Sequence, residues 1–290
     1  MSTSLSLKLR SKLQDYYILV KFRLSFIVVF SSAIGYVFAG GDMQHFYLFL
    51  LAGFLITAAS NTLNQIIEKD TDKLMQRTAE RPLAAGRMQV TEAMIAAGVM
   101  AVSGIILMWY FFNPISALLG ALSLLSYAFI YTPVKKLSPV AVFIGAFPGA
   151  IPPVIGWAAA TNEINQIAWI LCAIQFVWQF PHFWSIAWVS FDDYAKAGFY
   201  LLPNHTGRSR ASAFHIVIYT VMLIPVSMLP FFMGITGSIS AIIVLLTGIV
   251  FLYQASVLYK TGEVKHARSL MFGSFLYLPI VFISLLADKI

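Results

Sequence analysis

The sequence predicts an all-α, multi-pass membrane protein with nine transmembrane helices. Three observations carry that prediction. Of the 290 residues 59% are hydrophobic and the mean hydropathy is +0.81, far above the roughly 45–50% apolar usage of soluble domains. The apolar residues fall into runs of about 20, the length that crosses the hydrocarbon of a bilayer. The cations sort onto one side of those runs.

The runs lie at 19–39, 46–67, 92–112, 115–134, 139–160, 165–190, 212–232, 238–259 and 269–287. Five of the 19 Lys and Arg precede or open the first run, and five more (Lys69, Lys73, Arg77, Arg81, Arg87) separate the second from the third. Lys135 and Lys136 follow the fourth, Lys196, Arg208 and Arg210 the sixth, and Lys260, Lys265 and Arg268 the eighth. Eighteen of 19 thereby share one face, leaving Lys289 alone on the other. A wrong number of spans would scramble that separation. Lys and Arg stay on the cytoplasmic side, so residues 1–18 are expected as a cytoplasmic N-terminal segment and the C-terminus on the far side. The polar, basic start shows no cleavable signal, and 1–290 reads as a single domain. The net charge of +7 is confined to one membrane face, which argues against nucleic acid as a partner. The single cysteine, Cys172, excludes an intramolecular disulfide and a thiolate metal site.

Charge is scarce at 11% of residues, yet 64–82 reads NQIIEKDTDKLMQRTAERP. Asn64, Glu68 and Asp72 are spaced four and four, which stacks their side chains on one helix face about 6 Å apart. Oxygen donors at that spacing suit a hard cation such as Mg²⁺, which takes one or two carboxylates and fills its other positions with water and phosphate. Lys73, Arg77 and Arg81 follow, and such cations pair with phosphate oxygens. The same charges would also suit a solvated helix face with mutual pairing. Asn61, Asn64 and Gln65 lie inside the membrane end of the helix, where polar groups are costly unless a partner or wet cavity meets them.

The sixth run, QFVWQFPHFWSIAWVSFDDYAKAG, places Gln175, Gln179 and His182 on one face, with Pro181 expected to kink the helix and Asp192, Asp193 and Lys196 at its basic edge. His182 suits either a hydrogen bond to a neighbouring helix or a ligand contact. Trp178, Trp184 and Trp188 suit an interface belt or an apolar lining. In the fifth run Pro148, Pro152 and Pro153 lie among glycines, so a straight helix is not expected there, and the freed backbone groups need partners.

NQIIEKDTDKLMQRTAERPLAAG resembles the first Asp-rich motif of the UbiA-type intramembrane prenyltransferases. YTPVKKLSPVAVFIGAFPGAIPPVIGWAA and FVWQFPHFWSIAWVSFDDYAKAGFYLLP are similar, more narrowly, to its haem-farnesylating branch. The sequence departs from the family in carrying Glu68 where Asp is usual, which keeps the acid on an arm one methylene longer. It carries Asp192-Asp193-Tyr194 in place of a repeated DxxxD, which favours the haem branch over the quinone-prenylating one.

The resemblance implies helices around a central chamber in a bacterial inner membrane, with Mg²⁺ and farnesyl diphosphate at the cytoplasmic mouth. Haem B is the implied acceptor, with a haem-modifying or oxidase-assembly partner as a conceivable recipient of the product. The expected metal ligands are Asn64, Glu68, Asp72, Asp192 and Asp193. Lys73, Arg77, Arg81, Lys135, Lys136 and Lys196 are expected on the diphosphate, and Tyr131, Trp178, Gln179 and His182 in the prenyl and haem chamber. Prenylation of an aromatic quinone precursor and transport through the broken fifth run are the competing readings. Both carboxylate clusters lie at one face, whereas transporters bind near the midplane.

Overall fold

The computed structural model describes residues 2–204 and 206–290, with side chains from residue 11 onward. Its helices are α1 (Ser2–Leu19), α2 (Phe22–Phe38), α3 (Phe46–Asp72), α4 (Val90–Phe111), α5 (Pro114–Leu125), α6 (Thr132–Val134), α7 (Ala141–Ala150), α8 (Pro152–Thr161), α9 (Gln166–Val189), α10 (Phe191–Lys196), α11 (Arg210–Phe232), α12 (Ser238–Thr261) and α13 (Val264–Ala287). Among the described residues there is no strand, only an isolated bridge between Thr236 and Lys289. Eight stretches are long and apolar enough to cross a membrane, and the bent pair Ser11–Leu19 with Phe22–Phe38 makes a ninth. This is the all-α, nine-span architecture that charge sorting predicts.

The first span differs from expectation. Residues 2–18, expected as a leading segment, are helical, and α1 meets α2 at 45°. The break is Lys21, which adopts a left-handed conformation with φ 46° and ψ 56°, a state costing a non-glycine residue about 1–2 kcal/mol. Gln65 on α3 holds the hinge by donating to the carbonyls of Ile18 at 3.0 Å and Leu19 at 2.7 Å. A polar side chain that looked costly within the membrane thus satisfies the open end of α1.

The fifth span is broken as its prolines require. α7 ends at Ala150 and α8 begins at Pro152. Pro152 and Pro153 cannot donate to the carbonyls four residues earlier, those of Pro148 and Gly149. Neighbouring side chains replace the missing donors: Ser123 Oγ reaches Pro148 O at 3.3 Å and Gln175 Nε2 reaches Gly149 O at 2.8 Å. Gln179 Nε2 adds a bond to Ala146 O at 3.0 Å. Gln175 also meets Ser31 on α2, so α9 knits the broken span to the first.

Two glycines set the closeness of α2 and α8. A Cβ on Gly156 would lie 1.9 Å from Ser32 O, and one on Gly35 would lie 2.0 Å from Pro153 O. Close backbone approach over small residues is how membrane helices associate, since apolar burial gives them no preference over lipid. At the opposite end Lys289, the lone far-side cation, donates to Phe38 O at 2.7 Å and so caps α2, where a cation suits the helix dipole. Asp288 Oδ2 accepts from Ser240 N at 2.7 Å and opens α12.

Replacing Gly156 by Leu should separate α2 from α8 and lower the midpoint of thermal unfolding in detergent. Overpacking of this kind costs about 1–3 kcal/mol. Gly98→Ala, where nothing lies within 4 Å of an added Cβ, should leave the midpoint unchanged.

Candidate active site

The end of α3 carries the ladder that its spacing predicts. Asn64, Glu68 and Asp72 are 2%, 1% and 1% exposed. Carboxylates buried this deeply need partners, and each rung has a cation from a different element. Lys21 Nζ donates to Asn64 Oδ1 at 2.7 Å. Lys135 Nζ lies 2.6 Å from Glu68 Oε1, an ion-pair contact without hydrogen-bond alignment. Arg81 Nη1 bonds both oxygens of Asp72, at 2.9 and 2.7 Å.

Local structure explains how these groups converge. The left-handed turn at Lys21 lets its side chain reach α3. Between α5 and α6 the chain forms a π turn, Ser126–Tyr131, a feature frequent at functional sites. It places Thr132 Oγ within 3.1 Å of Asn64 Nδ2 while the same hydroxyl donates to Tyr127 O at 2.9 Å. Lys135, one turn on, lies 4.5 Å from the ring centroid of Phe199. After α3 the loop folds back, held by Thr78 Oγ on Asp72 O at 2.9 Å, which returns Arg81 to Asp72. Asn61 Nδ2 bonds Ser25 Oγ at 3.0 Å and ties α3 to α2.

The second carboxylate cluster takes a different role from the first. Asp193 accepts from the backbone N–H of Gln76 at 2.8 Å and Arg77 at 3.2 Å, and Lys196 lies 3.4 Å away. It therefore clasps the loop after α3. Asp192 pairs with Arg208 at 2.9 Å and is largely exposed. Gln76, Arg77, Asp192, Asp193 and Lys196 help line a cavity of about 370 Å³ at the mouth, and the Arg77 guanidinium sits 5.7 Å from the Tyr194 ring centroid. Lys73 is exposed and turned to Asp70 at 2.9 Å, and Lys136 is exposed.

The α9 residues divide between two faces. Gln179 is spent on α7. His182 Nδ1 is 2.8 Å from Ser274 Oγ on α13, and the ring stacks on Trp178, whose Nε1 donates to Ser274 O at 2.9 Å. The hydrogen bond to a neighbouring helix is the observed contact of His182. Tyr131 rests over Gly145 of α7, where an added Cβ would come within 2.6 Å of its ring, and lies 5.3 Å from Tyr127 between ring centroids.

The ladder's donor set fits a hard cation. It offers one amide oxygen, bonded by Lys21, and two carboxylates, paired with Lys135 and Arg81, on one helix face. No three His, Cys, Asp or Glu converge on one point among the described residues, so a metal held here would need water or a ligand to complete its coordination, as Mg²⁺ accepts. Arg81 and Lys135 balance Asp72 and Glu68, and Lys21 adds a donor to Asn64.

Lys21, Thr132 and the Asp193 clasp were missed by sequence reasoning. Lys21 carries a signal, a cation at the very start of an apolar run, that by itself reports only orientation.

The sequence pattern of the UbiA prenyltransferase family matches residues 28–279. The protoheme IX farnesyltransferase of Cytophaga hutchinsonii is 49% identical over 97% of this chain and 99% of its own. That of Christiangramia forsetii is 45% identical over 96% and 94%. Among solved structures, one of digeranylgeranylglyceryl phosphate synthase superposes with a TM-score of 0.78 at 20% identity over 96% of this chain and 98% of the other. A UbiA homolog from Archaeoglobus fulgidus bound to GPP and Mg²⁺ gives 0.72 at 16% identity over 93% and 99%.

Burial alone would raise the Asp193 carboxyl, but the amides of Gln76 and Arg77, with Lys196, outweigh it and hold the group below its ordinary range. A depressed carboxyl stabilises the fold above the ordinary Asp value of about 3.9 and loses that contribution as pH falls through the lowered value. Hydrogen exchange should therefore show the amides of Gln76 and Arg77 protected at neutral pH and freed only below about pH 4. Asp193→Ala should free both at neutral pH.

Proposed function

Because the chain belongs to the UbiA prenyltransferase family, we propose that it transfers the farnesyl group of farnesyl diphosphate to a vinyl group of haem B, with addition of water, giving haem O and diphosphate. The observation that supports this reading is the buried ladder of Asn64, Glu68 and Asp72, faced by Lys21, Lys135 and Arg81. Both substrates are lipophilic, in keeping with an integral membrane protein. The relatives named for this activity match nearly the whole chain.

Asn64, Glu68 and Asp72 would hold Mg²⁺, which when bound supplies positive charge to a departing diphosphate. Lys21, Lys135 and Arg81 exchange their ladder partners for diphosphate oxygens and stabilise the charge that develops there. Arg77, Lys73, Lys136 and Lys196 extend the same positive field over the mouth. Asp193 keeps the loop bearing Arg77 and Arg81 in place, and Asp192 steadies Arg208 beside it.

The C–O bond of the allylic diphosphate breaks and its electron pair leaves with the phosphate. The vinyl group of haem B supplies electrons to the allylic carbon. Water then adds to the resulting cation and gives up a proton. Tyr131, beside the ladder's end, shields the allylic carbon with its ring. Trp178, Gln179 and His182 shape the haem side of the chamber. In this reading the ladder and the N-terminal helix face the cytoplasm of a bacterial inner membrane, and α13 ends on the far side.

Purified protein in detergent, given haem B, farnesyl diphosphate and Mg²⁺, should yield a farnesylated haem by chromatography and mass spectrometry, and EDTA should abolish it. Unchanged haem together with prenylation of an aromatic quinone precursor would overturn the acceptor. No diphosphate release with any acceptor would overturn the reaction class.

Asp72→Ala should remove turnover while the protein still inserts in the membrane. It also leaves the half-buried Arg81 without its partner, visible as a lowered unfolding midpoint. Lys21→Met should raise KM for farnesyl diphosphate about tenfold, the value of one charge-assisted bond.

A further inference from the structure

A second cavity opens on the same basic face, on the other side of Arg208 from the mouth. It measures about 270 Å³ and is lined by Trp188, Arg208, Ser209, Arg210, Tyr259 and Lys260 among others. That falls below the roughly 300–1,000 Å³ of pockets that enclose drug-sized ligands, so a porphyrin does not fit within it.

The charges in its wall are unequal. Arg208 is committed, with Nε on Trp188 O at 2.8 Å and Nη1 on Asp192 at 2.9 Å. Arg210 and Lys260 have no carboxylate partner among the described residues, and the Arg210 guanidinium is steadied 5.0 Å from the Tyr259 ring centroid. Arg210 also begins α11, behind the N-cap Ser209, so the positive end of a helix of 23 residues borders the cavity. The carbonyl end of α12 borders it too, but Leu258 O is satisfied there by Gly262 N at 2.8 Å. Helix ends carry about half a charge each and nearly cancel, so the unpaired cations decide the sign. Trp188 closes the floor of the cavity, 1% exposed, with its indole N–H shut off from solvent.

We propose that this cavity binds a phosphate group, supplied by an anionic lipid or by free phosphate. Arg210 and Lys260 carry the affinity. The surface beside it suits the lipid: Phe214 and Ile218 on α11 are 50% and 37% exposed, and Tyr253 on α12 is 69% exposed, an apolar track for an acyl chain. Basic pockets between membrane helices hold anionic headgroups in this manner. Through Arg208 and Asp192 the occupied cavity would abut the α10 segment that clasps the loop after α3.

The test is lipid binding, independent of the farnesylation reading. The protein is placed in nanodiscs of phosphatidylcholine with increasing phosphatidylglycerol, and retained lipid is counted by native mass spectrometry. Phosphatidylglycerol should be retained selectively. The double variant R210A/K260A should weaken that retention about thirtyfold, since each cation near an anionic surface contributes roughly a fivefold gain. R210K/K260R should keep it. In lipid-free detergent, orthophosphate should protect the α11 N-terminus from hydrogen exchange if free phosphate is the source, and leave it unprotected if the lipid is. Equal retention of both lipids with no effect of orthophosphate, or no effect of the double variant on either arm, would overturn the proposal.

Discussion

Two carboxylates lie at the membrane end of α3 with almost no contact with solvent, and the rest of the arrangement follows from having to neutralise them there. An isolated ion taken out of water costs several kcal/mol even after the protein relaxes. Asp72 is met by Arg81 through two bonds and Glu68 by Lys135. Supplying those cations needs a loop that doubles back after α3 and a π turn that ends α5. The amide of Asn64 then links Lys21 and Thr132, so three separate stretches of chain depend on one helix face. A site assembled this way is held by charge balance more than by apolar packing, which in lipid gives neighbouring helices little preference for each other.

The same balance suits the chemistry. In the proposed reaction, a ladder already neutralised by cationic side chains accepts a metal and an anion together, because the cations that leave the carboxylates have phosphate oxygens to receive them. The incoming pair adds both signs at once. Neither Glu68 nor Asp72 is ever required to stand unpaired in a medium that penalises it.

Much of this was legible in the sequence because membrane proteins expose their topology in two simple signals, apolar run length and the side on which cations fall. The ladder was legible because helical periodicity is local. What was hidden depends on side chains meeting across distance. Asp193 accepts from backbone amides of a loop more than a hundred residues away in sequence, a contact that spacing along the chain does not announce. Gln175, Gln179 and His182 share a nominal helix face, but the first two serve the broken span and the third serves Ser274. Spacing could not divide them, since the division is made by which neighbour lies alongside. The prolines of the fifth span announced lost donors, and only the fold could say that Ser123 and Gln175 would replace them.

The bond from Lys289 to Phe38 joins residues 251 positions apart. During synthesis the first span is made long before Lys289 exists, and its last carbonyl must wait for a partner. Until then the Phe38 carbonyl stays open while Ala39, Gly40 and Gly41 close the turn before it, and α12 lacks Asp288 at its start. The bundle is therefore an open arc while it is being made and becomes a closed ring only when its final turn arrives.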